Sequence, residues 1–176
     1  LSMDELNRVS VEQFNDLEKL PVICVLDNIR SQHNIGSIFR TSDAFRIKEL
    51  YLCGITATPP NREINKSALG ATESVKWQYF SETTKAVEQL KNAGYTIIAV
   101  EQAVGSISPE DYFPVASEKI ALIFGNEVNG VSDDVMEMVD CCIEIPQFGT
   151  KHSFNVSVTV AIVLYQLYLR FKNLPG

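Results

Sequence analysis

The sequence is poor in metal-binding side chains. It has two histidines, His33 and His152, and four cysteines, Cys24, Cys53, Cys141 and Cys142, none in a CxxC pair. So scattered a set lacks the spacing of a tetrahedral zinc site, and no metal is expected. The cysteines fall within or at the end of segments that read as strands, which predicts buried free thiols in a reducing cytosol. Basic charge is scarce as well. Fifteen Lys and Arg stand against 22 Asp and Glu, a formal net charge of −7. That balance excludes a general nucleic-acid binder held by basic excess, though not a local basic patch. No run approaches the roughly 18 apolar residues of a membrane span. The richest, Val156 to Tyr168, is broken by Ser157, Thr159 and Gln166. No secretory signal is visible at the start, so a cytoplasmic protein is the expectation; Leu1 and Ser2 ahead of Met3 read as carry-over from expression and are set aside. Repeats, low-complexity tracts and linkers are missing too.

What is present suits one compact domain: 176 residues, 45% of them apolar, enough to fill a core. Asp4 to Lys19 reads as an acidic helical arm ended by Pro21, giving an arm over residues 1–20 and a main domain over 21–176. Apolar runs of strand length follow at Val22–Leu26, Leu50–Leu52, Thr96–Val100, Ile120–Phe124 and Ile143–Ile145. The longer ones are continuous rather than alternating, as in parallel strands buried on both faces. Between them lie helical patterns: Asn34 to Phe45, Thr83 to Ala93 with Gly94 as a stop, a short helix from Ser132, and a final long helix from Phe154 to Phe171. Thr56 to Asn65, with Pro59-Pro60, is the most loop-like interior stretch. The alternation predicts an α/β fold with a mainly parallel sheet and helices on both faces.

Ligands of such sheets bind beyond the C-terminal strand ends, and three ends carry unusual residues. After the first strand comes Asp27 to Arg40, without a GxGxxG fingerprint but with Asn34 ahead of a helix and Arg40 six positions on. Asn34 reads as an N-cap, and Arg30 and Arg40 can equally be solvated charges. After the fourth apolar run comes Phe124-Gly125-Asn126-Glu127-Val128-Asn129-Gly130-Val131-Ser132. Its glycines allow either an ordinary tight turn or close approach to a ligand. After the fifth come Pro146 and then Lys151-His152-Ser153-Phe154-Asn155-Val156-Ser157. Ser153 can cap the last helix. Asn155 and Ser157 stand beside an apolar face, where buried polar groups need partners.

Together these segments resemble the SpoU/TrmH branch of the SPOUT methyltransferases. The resemblance rests on Asn34-Ile35-Gly36 with Arg40 to Phe45, on Phe124-Gly125-Asn126-Glu127 through Gly130-Val131-Ser132, and on Ile145-Pro146 with Gly149 and Ser153 to Val158. A shorter match is Ser67-Ala68-Leu69-Gly70-Ala71. It covers the chain from Pro21 onward. Phe154 stands where leucine is more usual, and Thr159-Val160 replaces a smaller pair; both are packing changes.

The resemblance implies an α/β sheet whose C-terminal part forms a deep trefoil knot. It implies a homodimer with the last helix at the interface, and S-adenosylmethionine as cofactor. The cofactor would be held by Phe124, Gly125, Glu127, Gly130, Ile145, Pro146, Ser153, Asn155 and Val156. The implied activity is RNA ribose 2′-O-methylation on tRNA or rRNA, with tRNA preferred. Arg40, Asn34, Glu127, Ser153 and Asn155 would be the catalytic set. A guanidinium stays protonated in proteins, so Arg40 is expected to clamp a phosphate and stabilise charge on oxygen, with the phosphate or a water taking the proton. Asn34 would orient the ribose or Arg40. RNA affinity rests largely on phosphate contacts, for which Arg30, His33, Arg40, Arg62, Lys66 and Lys151 are the candidates. The alternatives are a non-catalytic RNA-binding relative, a base methyltransferase of another SPOUT branch, and an unrelated nucleotide-binding domain. Intact Arg40, Glu127, Ser153 and Asn155 disfavour the first, the Asn34/Arg40 pair the second, and the missing glycine fingerprint the third.

Overall fold

The computed structural model describes residues 10–151 and 153–174. His152 and the first part of the expected arm, Asp4 to Val9, lie outside them. The strands are β1 (Leu20–Asp27), β2 (Ile47–Cys53), β3 (Trp77–Phe80), β4 (Tyr95–Val100), β5 (Lys119–Phe124) and β6 (Cys141–Ile143). The helices are α1 (Val11–Asp16), α2 (Gln32–Ala44), α3 (Arg62–Ala68), α4 (Ala71–Ser74), α5 (Thr83–Asn92), α6 (Asp133–Met136) and α7 (Val156–Lys172), with a 3-10 turn at Pro109–Asp111. The strands form one sheet in the order β3-β2-β1-β5-β4-β6, every pairing parallel.

The continuous apolar strands are buried on both faces because successive side chains point to opposite sides. On one face, Val22, Cys24, Leu26, Leu122 and Phe124 meet Ile35, Ile38 and Phe39 of α2, Ile64 of α3, and Val160, Val163, Leu164 and Leu167 of α7. On the other, Ile23, Val25, Ala121 and Ile123 meet Ala86, Val87 and Leu90 of α5 and Val135 of α6. Helices on both faces were the expectation, and each fully buried large side chain stabilises by about 1.5–3 kcal/mol.

The chain fills β1, β2 and β3 outward on one side, then crosses to β4, returns to β5 beside β1, and ends the sheet at β6. The winding therefore reverses between β1 and β5. The loops leaving these neighbours lead to α2 on one face and α6 on the other. A crevice at such a switch point is where ligands of open parallel sheets bind.

Several boundaries differ from the sequence pattern. The first described helix stops at Asp16, with Leu17 already extended, and Pro21 lies inside β1 rather than ending a helix. A break in register between Leu20 and Ile23 against β2 accommodates it, since proline cannot donate to the ladder. Strand β6 covers Cys141–Ile143, not Ile143–Ile145; Glu144 instead donates its backbone N–H to Ile107 O. The loop-like stretch ends sooner than expected, because Asn61 Oδ1 accepts from Glu63 N and Ile64 N and starts α3. β3 and α4 carry no long apolar run and escaped the pattern. Gly36 of α2 faces α3 so closely that a Cβ there would lie 2.1 Å from Ser67 Oγ and 2.3 Å from Ile64 O. Only a residue without a side chain fits against α3 there.

Phe39 is fully buried between α2 and the sheet. Phe39→Ala is expected to cost about 3–5 kcal/mol of stability, read as a lower urea midpoint with an unchanged slope.

Candidate active site

The loops after β4, β5 and β6 and the start of α7 enclose one cleft of about 470 Å³. Its apolar walls are Val100, Phe124, Ile143, Ile145 and Val156, and its polar lining includes Glu101, Gln102, Asn126, Glu127, Glu144, Gln147, Ser153 and Asn155. Three of these are carboxylates, and among the described residues no lysine, arginine or histidine lines the cleft.

The loop after β5 is built by its glycines. Gly125 passes so near Gly130 and Val131 that a Cβ would come within 2.1 Å of their backbone atoms. Gly130 holds φ +70°, and a Cβ there would meet Glu101 Oε2 at 2.2 Å. Asn126 closes the loop: its backbone pairs with Gly130, and its Oδ1 accepts from Val128 N and Asn129 N. The loop is anchored from two sides. Glu101 Oε2 accepts from Val131 N at 3.0 Å, and Asn126 Nδ2 donates to Asn28 O at 2.7 Å.

Beneath the loop, Asp27 at the end of β1 is 1% exposed. Its Oδ1 accepts from Thr83 Oγ1 at 2.5 Å and Asn28 Nδ2 at 2.8 Å. Its Oδ2 accepts from Ser132 N at 2.9 Å and Ser132 Oγ at 2.8 Å. A buried carboxylate is tolerable only when so well supplied with donors. Ser132 therefore spends its hydroxyl on Asp27 and makes no side-chain cap to α6.

The three sequence segments meet above this base. Asn34 Nδ2 donates to Glu127 Oε1 at 3.0 Å, and Asn155 Nδ2 donates to Asn34 Oδ1 at 3.1 Å. Asn34 is 7% exposed and free for this bridge because it is not the N-cap of α2. Ser31 caps that helix through Asn34 N, two residues ahead of the expected start. The cap of α7 likewise belongs to Asn155, whose Oδ1 accepts from Ser157 N and Oγ, and not to Ser153. Asn155 is exposed and Ser157 half-buried, so neither is the buried polar group that the sequence pattern predicts.

Phe124, Gly125, Glu127, Gly130, Ile145, Ser153, Asn155 and Val156 all line the cleft, whereas Pro146 does not. Arg40 is exposed on α2 and outside the cleft lining of its own chain. Asn34 directs both ends of its amide elsewhere, so it does not orient Arg40 here. Arg30, His33, Arg62, Lys66 and Lys151 are exposed. Ser67 Oγ donates to His33 O at 3.0 Å, joining α3 with Arg62 and Lys66 to the first turn of α2. Lys66 pairs with Glu63 at 2.7 Å, an exposed pair of little strength. All four cysteines are free. Burial pushes the Cys24 and Cys53 thiols up, Cys53 to about 12, so both stay protonated.

Sequence reasoning missed Asp27, Glu101, Gln102, Glu144 and Gln147. Glu101 and Gln102 directly follow the apolar run Thr96–Val100, so the strand-end rule applied there would have found them.

The geometry defines a parallel α/β domain whose cleft lies beyond the ends of β4, β5 and β6 and at the start of α7. The chain belongs to the SpoU rRNA Methylase family, whose model matches residues 21–165. The tRNA (guanosine(18)-2′-O)-methyltransferase of Aquifex aeolicus (strain VF5) is 34% identical over 151 residues, covering 82% of this chain and 67% of that protein. The crystal structure of an A. aeolicus TrmH/SpoU tRNA modifying enzyme matches with a TM-score of 0.80 at 26% identity, over 92% of this chain and 80% of that one. The AdoMet-bound rRNA methyltransferase from Sinorhizobium meliloti has the same fold, with a TM-score of 0.80 at 24% identity over 92% of this chain and 61% of that one. The chain spans 62% to 74% of the length of such relatives.

Asp27→Asn puts an amide donor against groups that themselves donate. The expected loss is about 1.5–3 kcal/mol, together with weaker ligand binding in the cleft, measured by thermal unfolding and calorimetry on the same sample.

Proposed function

We propose that this chain is an S-adenosylmethionine-dependent RNA ribose 2′-O-methyltransferase, acting on tRNA or rRNA with tRNA preferred. It works as a cytoplasmic homodimer, and its segment after β6 is threaded as a deep trefoil knot. The observation that carries this reading is the Glu127–Asn34–Asn155 bridge, which ties the segment after β1 to the two segments, after β5 and before α7, that line the cleft. Family membership supports the methyl-transfer class, and the Aquifex relative favours tRNA.

The cleft suits the cofactor on its own chemistry. Its volume is within the range of about 300–1,000 Å³ usual for small-molecule sites. Its apolar walls accept a purine, and its three carboxylates, with no basic side chain beside them among the described residues, favour a cation over an anion. Phe124, Gly125, Gly130, Ile145, Pro146 and Val156 would hold the cofactor with Glu127, Ser153 and Asn155. Bound there, S-adenosylmethionine supplies an electrophilic methyl group on a positively charged sulfur. The protein has to align a ribose hydroxyl with it and exclude water. Asn34, gripped from both sides, keeps the Glu127 carboxylate in place. Arg40, outside the cleft of its own chain, serves the site formed with a second copy, clamping phosphate and stabilising charge on the oxygen. Arg30, His33, Arg62, Lys66 and Lys151 contact the RNA backbone.

The second copy covers α7. Val158 and Tyr165 are 46% and 52% exposed, and with the half-buried Ile162 and Leu169 they follow helical spacing as an apolar stripe. Such a stripe exceeds what a surface helix needs and matches the interface of symmetric dimers. No described helix is long and apolar enough to cross a membrane.

Calorimetry of S-adenosylmethionine against NAD and ATP is expected to show saturable binding of the first alone, one per subunit; absence of binding would overturn the reading. Arg40→Ala should then abolish RNA methylation and leave that binding nearly unchanged. Val158→Glu and Tyr165→Glu should each convert a dimer to monomers by sedimentation equilibrium, and a monomeric wild type would remove the dimer.

A further inference from the structure

We propose that the exposed row of Arg30, Ile55 and Tyr79, at the C-terminal ends of β1, β2 and β3, is a binding site for an unpaired RNA base, with Tyr79 as the stacking ring and Arg30 on the adjoining phosphate. That the polymer is RNA rests on the methyltransferase reading above.

The turn after β2 lies between the ends of β1 and β3 and is fastened to both. Gly54 N donates to Phe80 O at 2.9 Å, and Tyr79 Oη donates to Gly54 O at 2.9 Å. On the other side Ile55 N donates to Asn28 Oδ1 at 3.1 Å, and Ile29 N donates to Thr56 Oγ1 at 3.0 Å. Asn28 and Gly54 hold φ of +57° and +62°. They pack so closely that a Cβ on Gly54 would lie 2.1 Å from Asn28 Oδ1. Asn28 O in turn accepts from Asn126 of the loop after β5. The three strand ends thus form one fixed surface, joined at Asn28 to the loop that lines the cleft.

This surface shows solvent an uncommon set of groups. Ile55 is 61% exposed and Tyr79 51%. Among the described residues no other ring and no cation packs on the Tyr79 ring. Its hydroxyl is held by Gly54, so the ring has a set orientation while half of it stays open. Arg30, two residues beyond Asn28, is exposed, and no carboxylate pairs with it among the described residues. Neighbouring strands lie about 4.8 Å apart, so the ends of β1 and β3 are separated by about 10 Å. One nucleotide and an arginine side chain cover that span. A fixed aromatic ring beside an unpaired guanidinium is how proteins hold an unstacked base and its phosphate. Bases inside an A-form helix offer no open face to such a ring, so the row selects a nucleotide in a loop, a bulge or an end. The unpaired cation suits a phosphate, whereas the stripe on α7, apolar throughout, suits a second copy.

Fluorescence anisotropy tests the site with three end-labelled probes about ten units long: single-stranded RNA, a blunt RNA duplex, and an oligomer with abasic sugars in place of every nucleoside. Wild type is expected to bind the single strand more tightly than either other probe. Tyr79→Ala should weaken the single strand by about five- to 150-fold, the worth of one stacked base, and change the abasic oligomer by less than about twofold. Tyr79→Phe, which keeps the ring, should recover most of that loss, and Tyr79→Leu, which keeps only bulk, should not. Arg30→Gln should weaken all three probes. Sedimentation equilibrium and calorimetry of S-adenosylmethionine on each variant report whether assembly and fold are intact. A single strand bound no better than the duplex, equal losses on RNA and abasic oligomer, a Leu variant as good as Phe, or a Tyr79→Ala variant with an altered oligomeric state would each overturn the base site. A wild type that transfers no methyl group from S-adenosylmethionine to unfractionated tRNA or rRNA would instead overturn the methyltransferase reading, and the three probes would still report on the row.

Discussion

Four donors converge on the Asp27 carboxylate, and the geometry of the cleft follows from that convergence. Thr83 brings the start of α5, Asn28 the turn out of β1, and Ser132 the far end of the glycine-built loop. A carboxylate removed from water has to be matched by hydrogen bonds or it does not stay buried as a charge. The match fixes three segments of distant sequence against the end of the central strand. The loop after β5 has a ring of its own contacts only five residues long, from Asn126 to Gly130, and the hold of Asp27 on Ser132 adds to those of Glu101 and Asn28.

On that base the polar bridge of Glu127, Asn34 and Asn155 closes the site from above. It couples the helix after β1 to the helix after β6 through the loop after β5, across the point where the sheet's winding reverses. The remaining cleft carboxylates serve the scaffold first. Glu101 holds the loop and Glu144 holds the segment around Ser106. One side of the molecule is thereby a stitched frame, to which Glu127 is held through Asn34.

Much of this was legible beforehand, for identifiable reasons. Continuous apolar runs mark parallel strands, so β1, β4 and β5 were plain. The periodic faces of α2, α5 and α7 showed where helices pack. Strand β3 was hidden because at the sheet edge it exposes Gln78 and Tyr79 and carries no apolar run. Caps were misassigned where two capping residues lie close together. Ser31 precedes Asn34, and Ser153 precedes Asn155; in each pair only the tertiary partners decide which caps. Asn34 lost the cap because it is held by Glu127 and Asn155, contacts 93 and 121 residues away in sequence. Asp27 was unreadable for a similar reason. Its donors lie up to 105 residues distant, and an Asp at a strand end looks like any turn residue.

The bare contact between α2 and α3 at Gly36 has a mechanical result. With no side chain on Gly36 to act as a cushion, neither helix can slide or tilt freely without driving Ser67 Oγ or Ile64 O into the backbone of α2. Proteins transmit displacement across such close-packed joints rather than absorbing it. Arg40 on one helix and Arg62 and Lys66 on the other are thus carried by a single rigid plate. The backbone under these cations is fixed once the chain has folded, so in the RNA-binding role proposed above they would meet a polyanion without the backbone ordering that a loose basic arm requires.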